Sequence, residues 1–559
     1  MGGNGGRGAL MTWLGRAATL VLPYGAVVVS RGLDCLYILQ LERYKPDRFR
    51  AWVVSHRRAL VPGRECLLQA LTVAVAVALA LAGQHWLGSA VVWLVTGHII
   101  QSRHRSLQVS QRLHWTTRAA RVAAVALGLS GFLVAWAANT VGQALPAPDA
   151  VSRYVAGAIG GLAFVGLLTP TIVGLAARAV APLERVIARK FLADATRRMG
   201  AYRGRVLGIT GSYGKTSTKY VVADLLSARY RVLKTPAGVN TTMGITRVIR
   251  EELRDEHEAF VVEMSAYGPG EIREVCDVVR PTLGILTAVG VQHLERFGTP
   301  ERIAEAKYEL IAALPTGAPA VINADDSVCL RLAERARTDG KRVLLYGMGE
   351  GAAHLAVRGT EFAVSARGSR FRVITADGQT ETFETKLLGR WNLSNVLAGI
   401  AAALEWGVPL AAMKPAVGGL VPAPRRLEIH EEGGVIRILD VANANPRGAE
   451  MALEVLSQFT GGSRILITPG MVELGPIEAE ENRRFGEKAA PVCDYVVLVG
   501  AEQTRPIRQG LLDGGFPADK VLTARQAQDV TEFLAGIVRP GDILLYENRL
   551  PDTYLEVAS

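Results

Sequence analysis

The feature that most limits how this chain can fold is the uneven placement of its apolar residues: every long apolar run lies before about residue 180. Five runs stand out, at residues 17–30, 67–83, 86–100, 122–138 and 154–177. A membrane-crossing helix needs about 20 mainly apolar residues, which three of these supply and the other two reach by drawing on their flanks. Basic residues fill the segment between the first and second runs (Arg31, Arg43, Lys45, Arg48, Arg50, Arg57, Arg58, Arg64) and that between the third and fourth (Arg103, Arg105, Arg112, Arg118, Arg121). The connectors at residues 84–85 and 139–152 contain neither Lys nor Arg. Because Lys and Arg stay on the cytoplasmic side, the pattern predicts about five spans within residues 1–185, a multi-pass segment in the plasma membrane, and a cytoplasmic remainder. No small-x-small cleavage site leads out of the first run, so it reads as a retained helix. The first basic segment mixes Leu36, Ile38, Leu39, Leu41, Tyr44, Phe49, Trp52 and Val53 among its charges. That composition suits a helix on the bilayer surface or one docked on the downstream domain. No acid and no Lys sits centrally in a run, which favours an anchor, or a groove for a lipid-linked substrate, over an ion pathway.

From Arg205 onward, short β-branched runs alternate with amphipathic stretches, at residues 205–210, 259–264, 282–287, 320–323 and 343–346. Strands spaced by helical patterns predict a parallel α/β sheet with crossover helices. After the proline-rich break at residues 421–424 the pattern restarts, with strands expected at 435–441, 464–468, 495–499 and 542–546. Residues 186–420 and 421–559 therefore read as a central domain and a smaller α/β domain. The formal charge of +11 is accounted for by bases beside apolar runs, so no nucleic-acid partner is expected. Cys35, Cys66, Cys276, Cys329 and Cys493 stand far apart, which indicates neither a disulfide framework nor a zinc site.

The sharpest motif is GITGSYGKTSTK at residues 208–219, which follows a predicted strand and opens a helical stretch. Glycines there let backbone N–H groups approach phosphate oxygens, and a helix N-terminus favours negative charge. Gly211, Ser212, Gly214, Lys215, Thr216 and Ser217 thus form a candidate nucleotide cradle, with Lys215 reaching the β- and γ-phosphates and Thr216 holding Mg2+. Ile209 takes the place of the first glycine of the longer GxxxxGK[ST] form, which leaves the shorter GxxGK[ST][ST].

That shorter form resembles the phosphate loop of the Mur ligase family, and the resemblance continues in register from about residue 205 to residue 541. It implies a phosphate-loop ATPase domain with a parallel sheet, followed by a Rossmann-like domain. Thr235-Pro236 with Asn240, Thr241 and Gly244 resembles the family's turn after the first crossover, with Thr241 where a second asparagine is common. The segment VVEMSAYGPGEI at 261–272 resembles the strand end that supplies a metal-binding glutamate, which would be Glu263. QHLERFG at 292–298 and AKYE at 306–309 imply a Mg2+ ligand at His293 and, at Lys307, the lysine that is carbamylated in several relatives. LGRWNLSN at 388–395 resembles a nucleotide-contacting segment, implying ATP contacts for Asn392 and Asn395, with Trp391 where many relatives carry histidine. PRRLE at 424–428 places a phosphate-approaching arginine at Arg426. DVANANP at 440–446 and GMVELG at 470–475 resemble the branch that adds D-alanyl-D-alanine to a muramoyl tripeptide, and bring Asp440 to the nucleotide. Three departures stand against that branch. Val441 and Ala442 replace a Ser-Tyr pair, ENRLPDTY at 547–554 stands where a Lys-Gly-Ser segment is usual, and apolar runs replace the domain that grips the UDP-sugar precursor.

The resemblance implies a reaction in which an acceptor carboxylate attacks ATP to give an acyl-phosphate and ADP, and an amine then displaces phosphate. Lys215, Arg426 and two Mg2+ held by Thr216, Glu263 and His293 would neutralise the transferring oxygens. The acceptor would be a cell-envelope precursor, free or lipid-linked, the amine an amino acid or dipeptide, and membrane lipid and other envelope-synthesis enzymes would be its neighbours. A polyglutamate-type envelope polymer synthase remains open as an alternative. So does a catalytically silent scaffold, against which Lys215, Glu263, His293, Lys307 and Asp440 argue. A transporter or sensor gains nothing from that residue set.

Overall fold

The computed structural model describes residues 5–56, 113–144, 150–349, 354–442, 445–524 and 527–550, with scattered positions between 67 and 99. It divides into two compact units, the first ending at Ile187 and the second running from Ala188 to Leu550.

The first unit is helical, with helices Gly5–Leu41, Pro46–Ser55 and Thr117–Ala144 and most of helix Ala150–Ala201. Among the described residues two stretches are long and apolar enough to cross a membrane, Thr117–Thr140 and Arg153–Ala201, and they contain the runs at 122–138 and 154–177. The run at 17–30 lies on helix Gly5–Leu41. Those at 67–83 and 86–100 fall largely outside the described residues, so the expected five spans become two candidates among the described residues. The reading of a separate basic loop after residue 30 needs correcting, because Arg31 to Leu41 continue the first helix. The turn comes at Arg43 and Tyr44, both with positive φ, and Pro46 then opens the next helix. Leu36, Ile38, Leu39 and Phe49 pack with Val122, Val173 and Val180, so helix packing buries them. The connector expected at 139–152 is likewise helical as far as Ala144 and again from Ala150.

The second unit holds two sheets. The larger comprises β1 (Arg205–Thr210), β2 (Val232–Lys234), β3 (Ala259–Glu263), β4 (Leu283–Leu286), β5 (Pro319–Asn323), β6 (Arg342–Gly347), β7 (Val357–Ser365), β8 (Gly368–Thr375) and β9 (Thr380–Thr385). Their order is β2-β3-β1-β4-β5-β6-β7-β8-β9, parallel as far as β7 and antiparallel beyond. Alternation along β1 feeds two cores: Val206 joins Phe260, Val262 and Ile311, while Leu207 and Ile209 join Val221, Leu225 and Leu397. A parallel strand buried on both faces reads as a continuous apolar run, which is why the sequence shows β1, β3, β4, β5 and β6. The meander β7–β9 alternates buried with exposed residues, and that weaker signal is missed by a search for apolar runs.

The smaller sheet comprises β10 (Glu428–Glu432), β11 (Val435–Asp440), β12 (Arg464–Thr468), β13 (Tyr495–Val499), β14 (Val521–Ala524) and β15 (Ile543–Glu547), in the order β10-β11-β15-β12-β13-β14. Only β10 runs antiparallel to its neighbour. In the larger sheet the chain leaves β1 on one side, for β2 and β3, and returns on the other at β4. Ligands in open α/β sheets settle at such a switch point, outside the carboxyl ends of the strands.

Candidate active site

The phosphate loop occupies that switch point. Strand β1 ends at Thr210, Gly211 and Gly214 take φ values of 151° and 76°, and helix Lys215–Leu226 begins at once. At Gly214 any Cβ would stand 2.5 Å from Asn395 Oδ1, so both conformation and space demand glycine there. The Ser212 hydroxyl and the Gly290 backbone satisfy each other, at 3.0 Å in both directions. Lys215 folds back over the loop and donates to the carbonyls of Gly211 (2.7 Å) and Ser212 (2.9 Å). Burial, with Arg426 nearby, lowers its pKa to about 8, against the opposing pull of Glu263. The Ser217 hydroxyl makes no protein hydrogen bond among the described residues.

Glu263 ends β3 in register with Ile209 of β1, which sets its carboxylate beside the loop. Thr216 Oγ1 donates to Oε1 at 3.1 Å and Asn240 Nδ2 to the same oxygen at 3.0 Å, while Lys219 Nζ pairs with Oε2 at 2.9 Å. Burial opposes the charge on Glu263, but Lys219, Lys215 and these hydrogen bonds outweigh it and hold the carboxyl below its ordinary range. The turn at 235–244 supports the arrangement from behind. Thr235 Oγ1 accepts from the Glu263 N–H, and Thr241 caps helix Thr242–Glu251 through Gly244 N–H. An N-cap needs only a side-chain acceptor, which the threonine hydroxyl supplies.

His293, in a left-handed conformation (φ 59°), presents Nδ1 to Glu473 Oε2, and Arg296 donates to Glu473 Oε1 at 2.7 and 3.0 Å. Tyr267 lies 4.6 Å from the imidazole, centroid to centroid. Burial lowers the histidine pKa, with Glu473 opposing and Lys215 and Lys307 adding to the fall. Lys307 is buried on helix Pro300–Ala313 with no hydrogen bond or ion pair to its Nζ among the described residues, 5.8 Å from the Phe297 ring. Burial, reinforced by Lys215, brings its pKa to about 7.

Arg426 comes from the segment leading into the smaller sheet and Asp440 from that sheet itself. Arg426 stands between Arg425 and Leu427, both with positive φ, in the connection between the two sheets. Asp440 ends β11 beside Glu547 at the end of β15. Burial pushes the Asp440 carboxyl up to about 6, against Arg426 and the Leu427 N–H. Glu547, buried and accepting from Thr468 Oγ1 at 2.9 Å, is pushed up to about 8 by burial and by Asp440. Two carboxyls so placed cannot both ionise readily. Asn395 Oδ1 accepts from Thr218 Oγ1 at 3.1 Å behind the loop. The Asn392 amide instead donates to its own preceding turn, at Leu388 O (2.8 Å). The Arg447 guanidinium lies 4.8 Å from the Trp391 ring centroid. Asn445 caps helix Pro446–Ser457, while Asn443 and Ala444 of the same motif lie outside the described residues.

Lys219, Glu473 and Glu547 are neighbours of the candidate residues to which motif reading assigns no role. Each stands inside a segment singled out above, at 208–219, 470–475 and 547–554, and Lys219 also lies one helical turn after Lys215 on the same face. Among the described residues no three His, Cys, Asp or Glu side chains converge as a metal cluster. Mg2+ needs only one or two protein oxygens when phosphates and waters complete its octahedron, so Thr216 Oγ1 with Glu263 is a fitting donor pair. For His293 the nitrogen without a protein partner among the described residues is Nε2.

Two family models match this part of the chain, the Mur ligase middle domain over residues 209–403 and the Mur ligase glutamate ligase domain over residues 425–546, and none matches the residues before 209. The UDP-N-acetylmuramoyl-tripeptide–D-alanyl-D-alanine ligase of Escherichia coli is 31% identical over 318 residues, 56% of this chain and 69% of its own length. Its Synechocystis counterpart is 30% identical over 343 residues, 61% of this chain and 71% of its own. Among solved structures, MurF of Acinetobacter baumannii superposes with a TM-score of 0.59 at 25% identity, covering 66% of this chain and 78% of that one. MurF ligase of Thermotoga maritima in complex with ADP gives 0.58 at 26%, covering 66% and 81%. With both catalytic modules matched in order and the phosphate loop in place, the chain belongs to the Mur ligase family, the ATP-dependent, ADP-forming amide ligases.

Proposed function

We propose that this protein is a membrane-anchored ligase that joins the amine of an amino acid or dipeptide to the carboxylate of a peptidoglycan or other cell-envelope precursor. The observation that carries this reading is the convergence of charge on the phosphate loop from both sheets. Glu263 and Arg426 both act electrostatically on Lys215, and Arg426 acts in the same way on Asp440. Residues 1–185 serve as the anchor, 186–420 as the ATP-binding domain and 421–559 as the domain that closes over it. The relatives named above act, by name, on a UDP-N-acetylmuramoyl tripeptide and D-alanyl-D-alanine, and those are the first substrates to try. The apolar helices make a lipid-linked acceptor the second.

In this reading Gly211 to Ser217 cradle the ATP phosphates with Asn395 behind the loop, and Lys215 and Arg426 neutralise charge as the acceptor carboxylate attacks the γ-phosphate. ADP departs, and the amine then displaces phosphate from the acyl-phosphate. Bound Mg2+ supplies further charge neutralisation at the phosphates, one ion on Thr216 and Glu263 and a second on His293. Asp440 and Asn392 complete the nucleotide contacts once the ligand is bound. Lys307, with a pKa near 7, holds the neutral amine that carbamylation by CO2 requires.

The test is ADP release by the detergent-purified full chain with Mg2+ and ATP, one acceptor and one amine at a time. Turnover that needs both substrates and falls by about 10²–10³-fold in Lys215→Ala supports the ligase. Nucleotide binding without turnover on any pair, polyglutamate precursors included, favours the silent scaffold.

A further inference from the structure

We propose that Glu473 is the positioning residue of His293, so that the second metal site is complete only while the C-terminal domain is docked on the central one. The inference rests on the reading of His293 as a metal ligand. His293 belongs to the loop after β4, and Glu473 to the loop after β12 in the other sheet. The two meet through His293 Nδ1 and Glu473 Oε2. A carboxylate on one imidazole nitrogen fixes tautomer and ring orientation and leaves the other nitrogen free for a metal. Here Nε2 has no protein partner among the described residues, and the Tyr267 ring lies tilted beside the imidazole, 4.6 Å between centroids.

A simple salt bridge between the domains would not need this geometry. Arg296 already occupies Glu473 Oε1 through both Nε and a terminal nitrogen, which leaves Oε2 to the histidine. His293 (φ 59°) and Glu473 (φ 66°) both hold left-handed conformations unfavourable for L residues, which persist only where the surroundings enforce them. Docking is reinforced locally: the Glu295 N–H donates to the Glu473 carbonyl at 3.2 Å, and Ile477 packs against the cores of both sheets. Undocking would withdraw the carboxylate and release the imidazole.

The experiment uses the full chain in detergent, labelled with 15N-histidine, with Mn2+ as the probe ion and a non-hydrolysable ATP analogue. Pulsed EPR then reads histidine coupling to Mn2+ apart from the unlabelled adenine. The native protein is expected to show 15N coupling that His293→Gln abolishes. Glu473→Leu and Glu473→Ala remove the acceptor with and without filling its volume, so one folded variant suffices. Each is expected to lose the coupling and to bind the Mn2+ of that site about 10- to 100-fold more weakly. Coupling retained at native strength in a folded Glu473 variant overturns the inference and leaves His293 as a ligand. A native protein without histidine coupling overturns both.

Discussion

Lys307 and Lys219 are two buried lysines with opposite solutions to the same problem. An ammonium taken out of water must lose its proton or find a counter-charge. Lys219 has Glu263 at 2.9 Å, and both side chains are almost fully buried. Removing one partner strands the other, so Lys219→Met should cost about 3–5 kcal/mol of stability, read from denaturant unfolding, while Lys219→Met with Glu263→Met should recover much of the loss. Lys307 has no such partner, and burial brings its pKa from 10.5 to about 7. Between those two values the unfolded chain keeps a proton that the folded one has released, so stability should rise with pH through that window. The native thermal midpoint, measured without bicarbonate, should climb more steeply there than that of Lys307→Met. With 13C-bicarbonate, an NMR carbamate signal should appear in the native protein and be missing from Lys307→Met.

Among the elements, the helices beside the smaller sheet show what close backbone approach demands. Helix Glu478–Ala489 crosses helix Arg505–Asp513 at Gly486 and Gly510, and a Cβ on Gly510 would stand 1.9 Å from the Arg483 carbonyl oxygen. No side chain can yield there, because the obstacle is backbone. Gly510→Ala should therefore push the helices apart at a cost of about 1–3 kcal/mol, visible as an earlier unfolding midpoint. The phosphate loop is glycine-dependent for a different reason, the positive φ and the Asn395 amide beside Gly214. Gly214→Ala should weaken nucleotide binding, measured by titration with ADP, before it affects unfolding.

At the scale of the whole molecule the chain joins a helical unit to a two-sheet catalytic unit, and the anchoring role proposed for the first has a direct check. The full chain should sediment with membranes and need detergent for release, whereas a chain beginning at Ala188 should remain in the soluble fraction and still bind ADP. Sediment in both cases, or in neither, would remove the anchor from the proposal. Much of this organisation is legible in one dimension. Apolar runs mark the parallel strands because burial on both faces leaves no polar positions to interrupt them, and the N-terminal helices because a long helix such as Thr117–Ala144 carries apolar residues all round. The loop Gly211 to Ser217 is legible because its backbone requirements are local. The antiparallel meander β7–β9 escapes such reading, since one face of it meets water and its alternation is short and charged. Residue types and local backbone were thus determined by the sequence alone: a lysine after glycines at a helix start, a glutamate at a strand end, a histidine in a loop. Which of them meet was decided only by the tertiary structure. Glu263 lies 44 residues from Lys219 and His293 lies 180 from Glu473, and Asp440 faces Glu547 through strand register. Propensity and periodicity act over a few residues, whereas these pairings follow from which strands lie side by side and how two sheets dock, where packing and burial over the whole unit set the outcome.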